Sequence, residues 1–93
     1  MMSEILKALD LFYKAERNNP PQFYLRPCKA ILVRVKESLE KEGSKAAKGA
    51  SEEVAMAITH IEYYESDPEM YHTSPAYFYG HMGRAIALLL GLR

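Results

Sequence analysis

The chain has 93 residues, 48% hydrophobic and 26% charged, which is the length and composition of a single globular domain. Its twelve basic and twelve acidic residues give a formal net charge of zero, so bulk charge does not favour nucleic acid or an anionic membrane as the main partner. We therefore predict one helical domain over residues 1–93.

Neither export nor membrane insertion is predicted. Residues 1–7 lack the basic leader and the apolar run of a signal peptide, and the longest apolar run, 85–90, is far shorter than the roughly 20 residues that cross a bilayer. Cys28 is the single cysteine and has no partner for an internal disulfide. These features predict a cytoplasmic protein.

The first predicted helix runs from about Ser3 to Arg17, with Ser3 as its N-cap. Its apolar side chains follow helical spacing: Ile5, Leu6, Leu9, Phe12 and Tyr13. The helix should end at Asn18-Asn19-Pro20-Pro21, because a residue that precedes proline avoids the helical conformation.

A second helix is predicted from about Pro27 to Lys41, since apolar residues recur at Cys28, Leu32, Val35 and Leu39. Its start has two interpretations. Pro27 can be the first helical residue, where its missing N–H costs nothing, or a helical turn can begin near Pro20 and be kinked by Pro27. We favour the first.

Residues 42–51 are small and polar, and they fit either a flexible connection or the first turns of a third helix, with Ser44 and Ser51 as candidate N-caps. From Glu52 to about Glu65 the helix is clear from the spacing of Val54, Ala57, Ile58, Ile61 and Tyr64.

A fourth helix should begin with Ser74 as N-cap and Pro75 as first helical residue, run to about Leu90, and end at Gly91. Four amphipathic helices with short connections pack most simply as up-down neighbours. We therefore predict an all-α fold, a compact antiparallel bundle of about four helices.

The fourth predicted helix carries a stripe of small residues at positions i, i+4, i+7 and i+11: Ala76, Gly80, Gly83 and Ala87. A glycine inside a helix costs about 0.5–1 kcal/mol relative to alanine, so close approach of another helix is the expected reason for two of them. That helix can belong to the same chain or to a second copy related by a two-fold axis. Because small domains gain from a partner chain, the functional hypothesis is a protein-protein interaction module that forms a homodimer.

Beside this stripe, Tyr77, His81 and Arg84 share one helix face and could bind an anion or accept a proton. No nucleophile or acidic partner lies at a matching spacing, so we favour an ordinary amphipathic rim and predict no enzyme. If the loop 66–74 forms a groove, Tyr71 and His72 should line its mouth.

The second predicted helix begins with basic residues and ends with acidic ones, an order that opposes the helix macrodipole. The cluster of positive charge with which it begins, a candidate anion or RNA contact, consists of Arg26, Lys29, Arg34 and Lys36. Pairing with acids on a neighbouring helix is favoured over RNA binding, because the net charge is zero. The three histidines lack metal-ligand spacing, and no phosphate-binding motif occurs, so neither a metal nor a cofactor is predicted.

The run Ala76-Tyr77-Phe78-Tyr79-Gly80-His81-Met82-Gly83-Arg84-Ala85 resembles the aromatic-then-His-Ala-Ala-Arg-Ala helix of the HEPN helical domains, which often act as RNases or toxin-antitoxin partners. The resemblance covers roughly a fifth of the chain. In that family the catalytic Arg comes before the His, whereas here His81 precedes Arg84. The resemblance implies an RNA-binding, toxin-antitoxin type of protein as the alternative function, and no catalytic residue is carried over from it.

Overall fold

The computed structural model describes residues 1–71 and 75–91. This part of the chain is helical and holds no strand, which confirms the predicted all-α bundle. The helices are α1 (Met2–Glu16), α2 (Gln22–Glu42), α3 (Lys45–Ser66), the single turn α4 (Pro68–Tyr71) and α5 (Pro75–Leu89). None of these helices is both long and apolar enough to cross a bilayer.

The four long helices are arranged in an antiparallel bundle measuring 38 × 22 × 19 Å. Consecutive long helices pack side by side, α1 on α2, α2 on α3 and α3 on α5. The bundle closes because α1 also meets α5, where the rings of Phe12 and Phe78 stack with 3.8 Å between their centroids. The turn α4, which the sequence did not predict, links α3 to α5.

The centre of the core is aromatic. Phe12 is fully buried and, besides its stack on Phe78, meets the rings of Tyr64 and Tyr79 edge to face at centroid distances of 6.0 and 5.4 Å. Aliphatic side chains complete the core on either side: Ile5, Leu25, Leu32, Val35, Leu39, Val54, Ile61 and Met82. Leu6 and Tyr13, which were predicted on the buried face of α1, are instead 56% and 49% exposed.

The predicted N-cap of the first helix and the predicted start of the second are wrong. Ser3 is not an N-cap, since α1 already begins at Met2 and the carbonyl of Met1 accepts the first helical N–H groups. Pro27 is not the first residue of α2 either, because the helix begins at Gln22 and contains Pro27 in its interior. The earlier start buries Leu25 completely, while Pro27 lies on the exposed side of the helix, so the added turn contributes apolar burial.

The small-residue segment before Glu52 is helical. Ser44 caps α3 as predicted, its Oγ accepting the N–H of Ala47 at 3.1 Å. Ser51, the other candidate cap, lies inside the helix and donates its hydroxyl to the carbonyl of Lys48 at 2.9 Å. Just before this cap, Gly43 ends α2 in the left-handed conformation, with φ of 73°.

Cys28 is buried on α2, its thiol donates to the carbonyl oxygen of Ala8 at 3.2 Å, and burial raises its pKa to about 12. Gly91, predicted to follow the last helix, does so in the left-handed conformation, with φ of 71°. The predicted cap Ser74 lies outside the described residues.

Candidate functional site

A cluster of polar side chains joins α5 to α3. The Nδ1–H of His81 donates to Oε2 of Glu53 at 3.1 Å, and Nε of Arg84 donates to both carboxylate oxygens of Glu53 at 3.2 Å. A carboxylate only accepts hydrogen bonds, so Nδ1 of His81 must carry its proton. Nη2 of Arg84 lies 3.3 Å from the same Nδ1. Because both nitrogens are then donors, this contact is not a hydrogen bond. Glu53 is the acidic partner that sequence spacing along the last helix did not reveal.

Tyr77 lies between two histidines in the same cluster. Its ring stacks on that of His60, with centroids 5.1 Å apart and planes at 29°, and its edge meets His81 at 4.5 Å. His60 is 3% exposed, and burial, helped by the nearby His81, lowers its pKa. The predicted trio of Tyr77, His81 and Arg84 is therefore assembled on α5 and anchored to α3.

Burial and hydrogen bonding have opposite effects on the pKa of Glu53. Partial burial alone would raise the pKa of its carboxyl group, but the hydrogen bonds from His81 and Arg84 outweigh burial, and the pKa is lowered. The arrangement can orient an imidazole through a carboxylate, which is useful in proton transfer. Within the described residues, no hydroxyl or thiol is hydrogen-bonded to His81 as a nucleophile would be.

The small-residue stripe lies on the outward side of α5. A Cβ atom added at Gly80 or Gly83 would have no described neighbour within 4 Å, so none of the other described helices contacts these glycines. The interpretation of the stripe as an intrachain packing surface is therefore wrong for both. Close approach occurs instead on α3, where a Cβ at Gly49 would lie 3.1 Å from Cδ1 of Leu88.

The basic residues of α2 do not form one free cluster. Lys29 lies 3.1 Å from Glu62 and 3.8 Å from Glu65 on α3, which is the pairing with a neighbouring helix that we favoured. Lys36 pairs within its own helix with Glu40 at 2.9 Å. The remaining two, Arg26 and Arg34, are exposed. Binding of RNA by these four residues stays a prediction.

An open cleft of about 390 Å³ lies at the end of the bundle near α4. Its lining comes from the α1–α2 connection, α3 and the start of α4: Glu16, Arg17, Asn18, Asn19, Pro21, Tyr64, Pro68 and Glu69. We call it the α4 cleft. The side chain of Tyr71 and the whole of His72 lie outside the described residues, so their predicted place at its mouth stays a prediction. Across residues 1–71 and 75–91, no group of His, Cys, Asp and Glu is placed to hold a metal ion.

No protein-family model, no curated protein and no solved structure matches the chain. Function is therefore inferred from the geometry of the residues. The sequence analysis missed Glu53 and the α4 cleft, because both depend on which helices become neighbours. In an antiparallel pair of helices, residue numbers rise along one helix as they fall along the other. Pairing the third and last helices in this way would have placed Glu53 near His81.

Proposed function

We propose that the protein is a small interaction module that forms a homodimer through the outward face of α5. The open space around Gly80 and Gly83 carries this proposal. Two glycines within a 15-residue helix cost about 1–2 kcal/mol together, relative to alanine. Neither glycine has a positive φ angle, so the backbone conformation does not require them. A second helix crossing at this point would account for both.

The composition of α5 supports the same conclusion. Arg84 is the single Lys, Arg, Asp or Glu between Pro75 and Leu89, and its guanidinium is turned towards Glu53. Large apolar side chains flank the small-residue stripe, with Tyr77 and Leu88 42% and 38% exposed on one side and Leu90 58% exposed on the other. Small residues at the centre and larger ones at the flanks let two helices pack closely and still bury apolar surface.

The small-residue stripe also supports a two-fold arrangement. A dimer about a two-fold axis uses the same surface on both copies, so that surface must be complementary to itself. A strip of glycine and alanine meets this condition, because two such strips can pack against each other without a large side chain that needs a matching cavity on the partner. The stripe spans Ala76 to Ala87, about 17 Å of helix at the 1.5 Å rise per residue.

Light scattering behind size-exclusion chromatography tests the proposal. The wild type should have twice the 10.6 kDa mass of the chain, and Gly83→Leu and Gly80→Leu should each have the monomer mass. A Cβ atom at either position meets no described atom within 4 Å, so the variants should still fold. Ala30→Leu, which adds leucine at an exposed position of α2, is the matched control and should remain dimeric.

A monomeric wild type at micromolar concentration would refute the homodimer. So would a dimer that persists in both glycine variants, since it would have to use another surface. Circular dichroism of each variant, with a helical signal equal to that of the wild type, separates loss of assembly from loss of folding.

A further inference from the structure

The α4 cleft contains a carboxylate, Glu16, that forms no ion pair within the described residues. Glu16 is half-buried, and its Oε1 accepts the hydroxyl proton of Tyr79 at 2.6 Å. Tyr79 is a neutral donor, because burial and the neighbouring Glu16 raise its pKa. No Lys, Arg or His of the described chain lies within ion-pair distance of Glu16. A partly buried carboxylate that has no ion pair is stabilised when a cationic ligand binds to it.

A second polar group of the cleft, the hydroxyl of Tyr64, has no hydrogen-bond partner in the part of the chain that the structure describes. Tyr64 is 2% exposed and contributes to the lining, and its hydroxyl makes no hydrogen bond within residues 1–71 and 75–91. The hydroxyl oxygen itself is not fully buried, so it is available to a ligand in the cleft. Burial and the charge of Glu16 raise the pKa of Tyr64, which places the two groups in the same electrostatic environment.

The other polar groups of the cleft offer acceptors. The side-chain nitrogen of Asn18 donates to the carbonyl of Lys14 at 2.6 Å, which leaves its oxygen as the available atom. Glu69 adds a second carboxylate at the exposed rim. The basic residue of the lining, Arg17, is held elsewhere: its guanidinium lies 3.4 Å over the ring of Tyr13 and donates to the Tyr13 carbonyl.

The cleft therefore holds two carboxylates, an amide oxygen, the Tyr64 hydroxyl and one cation, the Arg17 guanidinium over Tyr13, beside the apolar surfaces of Pro21 and Pro68. The two carboxylates outnumber this one cation, so an anion is disfavoured there, and a neutral alcohol would leave Glu16 without an ion pair. We propose that the α4 cleft binds a small organic amine in its protonated form. The ammonium group donates to Glu16 and Tyr64, and a short apolar chain lies against the prolines.

Titration with n-butylamine at neutral pH, followed by ¹H–¹⁵N NMR, tests this proposal. The amine carries one ammonium and four carbons, and the side-chain amide signals of Asn18 and Asn19 report on the cleft directly. We expect saturable shifts of these signals. 1-Butanol and butanoate, matched in chain length, should bind at least about tenfold more weakly, because only the ammonium offers a charged donor.

Three variants assign the binding to individual groups. Glu16→Gln should weaken n-butylamine binding by about tenfold or more, and Tyr64→Phe should weaken it while leaving the carboxylate in place. Glu52→Gln, the control, removes an exposed carboxylate of α3 outside the cleft and should retain binding.

Absence of saturable shifts at millimolar n-butylamine would overturn the proposal. Equal binding of 1-butanol, or a Glu16→Gln variant that binds the amine as tightly as the wild type does, would overturn it as well. Thermal unfolding of each variant without ligand confirms that the folded protein is being titrated.

Discussion

Nδ1 of His81 and Oε2 of Glu53 lie 3.1 Å apart, and this contact ties the middle of α5 to the first half of α3. Both side chains are largely shielded from solvent, at 12% and 21% exposure. Arg84 adds two hydrogen bonds to the same carboxylate from a side chain that is 61% exposed. The contact with His81 is therefore less screened by water than the contact with Arg84.

Removing the charge of Glu53 should weaken the docking of α5. We expect Glu53→Gln to lower the free energy of unfolding at pH 7 by about 1–2 kcal/mol, since hydrogen bonds to charged groups are stronger than neutral ones but solvent screens Arg84. Urea unfolding measures this value. Glu52→Gln, an exposed neighbour on α3, is the control and should change stability little.

The same variant should flatten the acid dependence of stability. The pKa of Glu53 is lowered in the folded state from its ordinary value of 4.5, so its contribution is complete above that value and is lost as pH falls through the folded pKa. Between pH 6 and pH 3 the wild type should lose more stability than Glu53→Gln. Parallel pH profiles would contradict the assignment.

His60 should make the fold less stable in mild acid. Its pKa is lowered in the folded state from the ordinary value of 6.5, because the ring is buried next to Phe12 and Tyr77 and close to His81. The unfolded chain then binds the extra proton, and stability falls as pH drops below about 6.5 until the folded pKa is reached. Unfolding free energies at pH 7.5 and 5.5 should differ less in His60→Phe than in the wild type. An equal difference in both proteins would contradict the prediction.

Two phenylalanines allow a matched test of the core. Phe12 is fully buried among aromatic rings, and Phe23 is 78% exposed. We expect Phe12→Ala to lower the free energy of unfolding by about 3–5 kcal/mol, because it leaves a cavity at the centre of the bundle. Phe23→Ala should stay within about 0.5 kcal/mol of the wild type. Similar losses in both variants would contradict the placement of Phe12.

Alanine at Gly83 should separate folding from assembly. The added methyl group meets no described atom within 4 Å, and alanine is the better helix former, so the isolated chain should gain about 0.5–1 kcal/mol. The dimer should weaken at the same time, since the methyl group separates the two helices. Urea unfolding at low concentration, where the chain is monomeric, measures the first effect, and light scattering over a dilution series measures the second. A more stable chain with unchanged self-association would count against the α5 interface.

The sequence was sufficient to predict the class of the fold, because the apolar spacing of each long helix is set by local geometry. It failed at helix starts, where local signals compete with burial. Pro27 has the features of a first helical residue, yet α2 begins at Gln22. The buried side chain of Leu25 offsets part of the cost of a proline inside the helix, and that burial depends on the neighbouring helices.

Only part of the candidate site could be predicted from the sequence. Tyr77, His81 and Arg84 lie on one helix, so their common face follows from their spacing. Glu53 is 28 residues from His81 along the chain, and no local pattern connects them. The stripe around Gly80 was recognised, but its exposure became evident only once α3 was seen to pack on the opposite side of α5.

The reactivity of the Cys28 thiol can report how often α1 and α2 separate. A thiol with a pKa of about 12 is almost entirely protonated at neutral pH, and this one is also covered by the α1–α2 contact that bonds it to Ala8. An alkylating reagent can reach it as a thiolate only after those two helices part. The rate at which the native protein is alkylated therefore measures how often the bundle opens, without any engineered label.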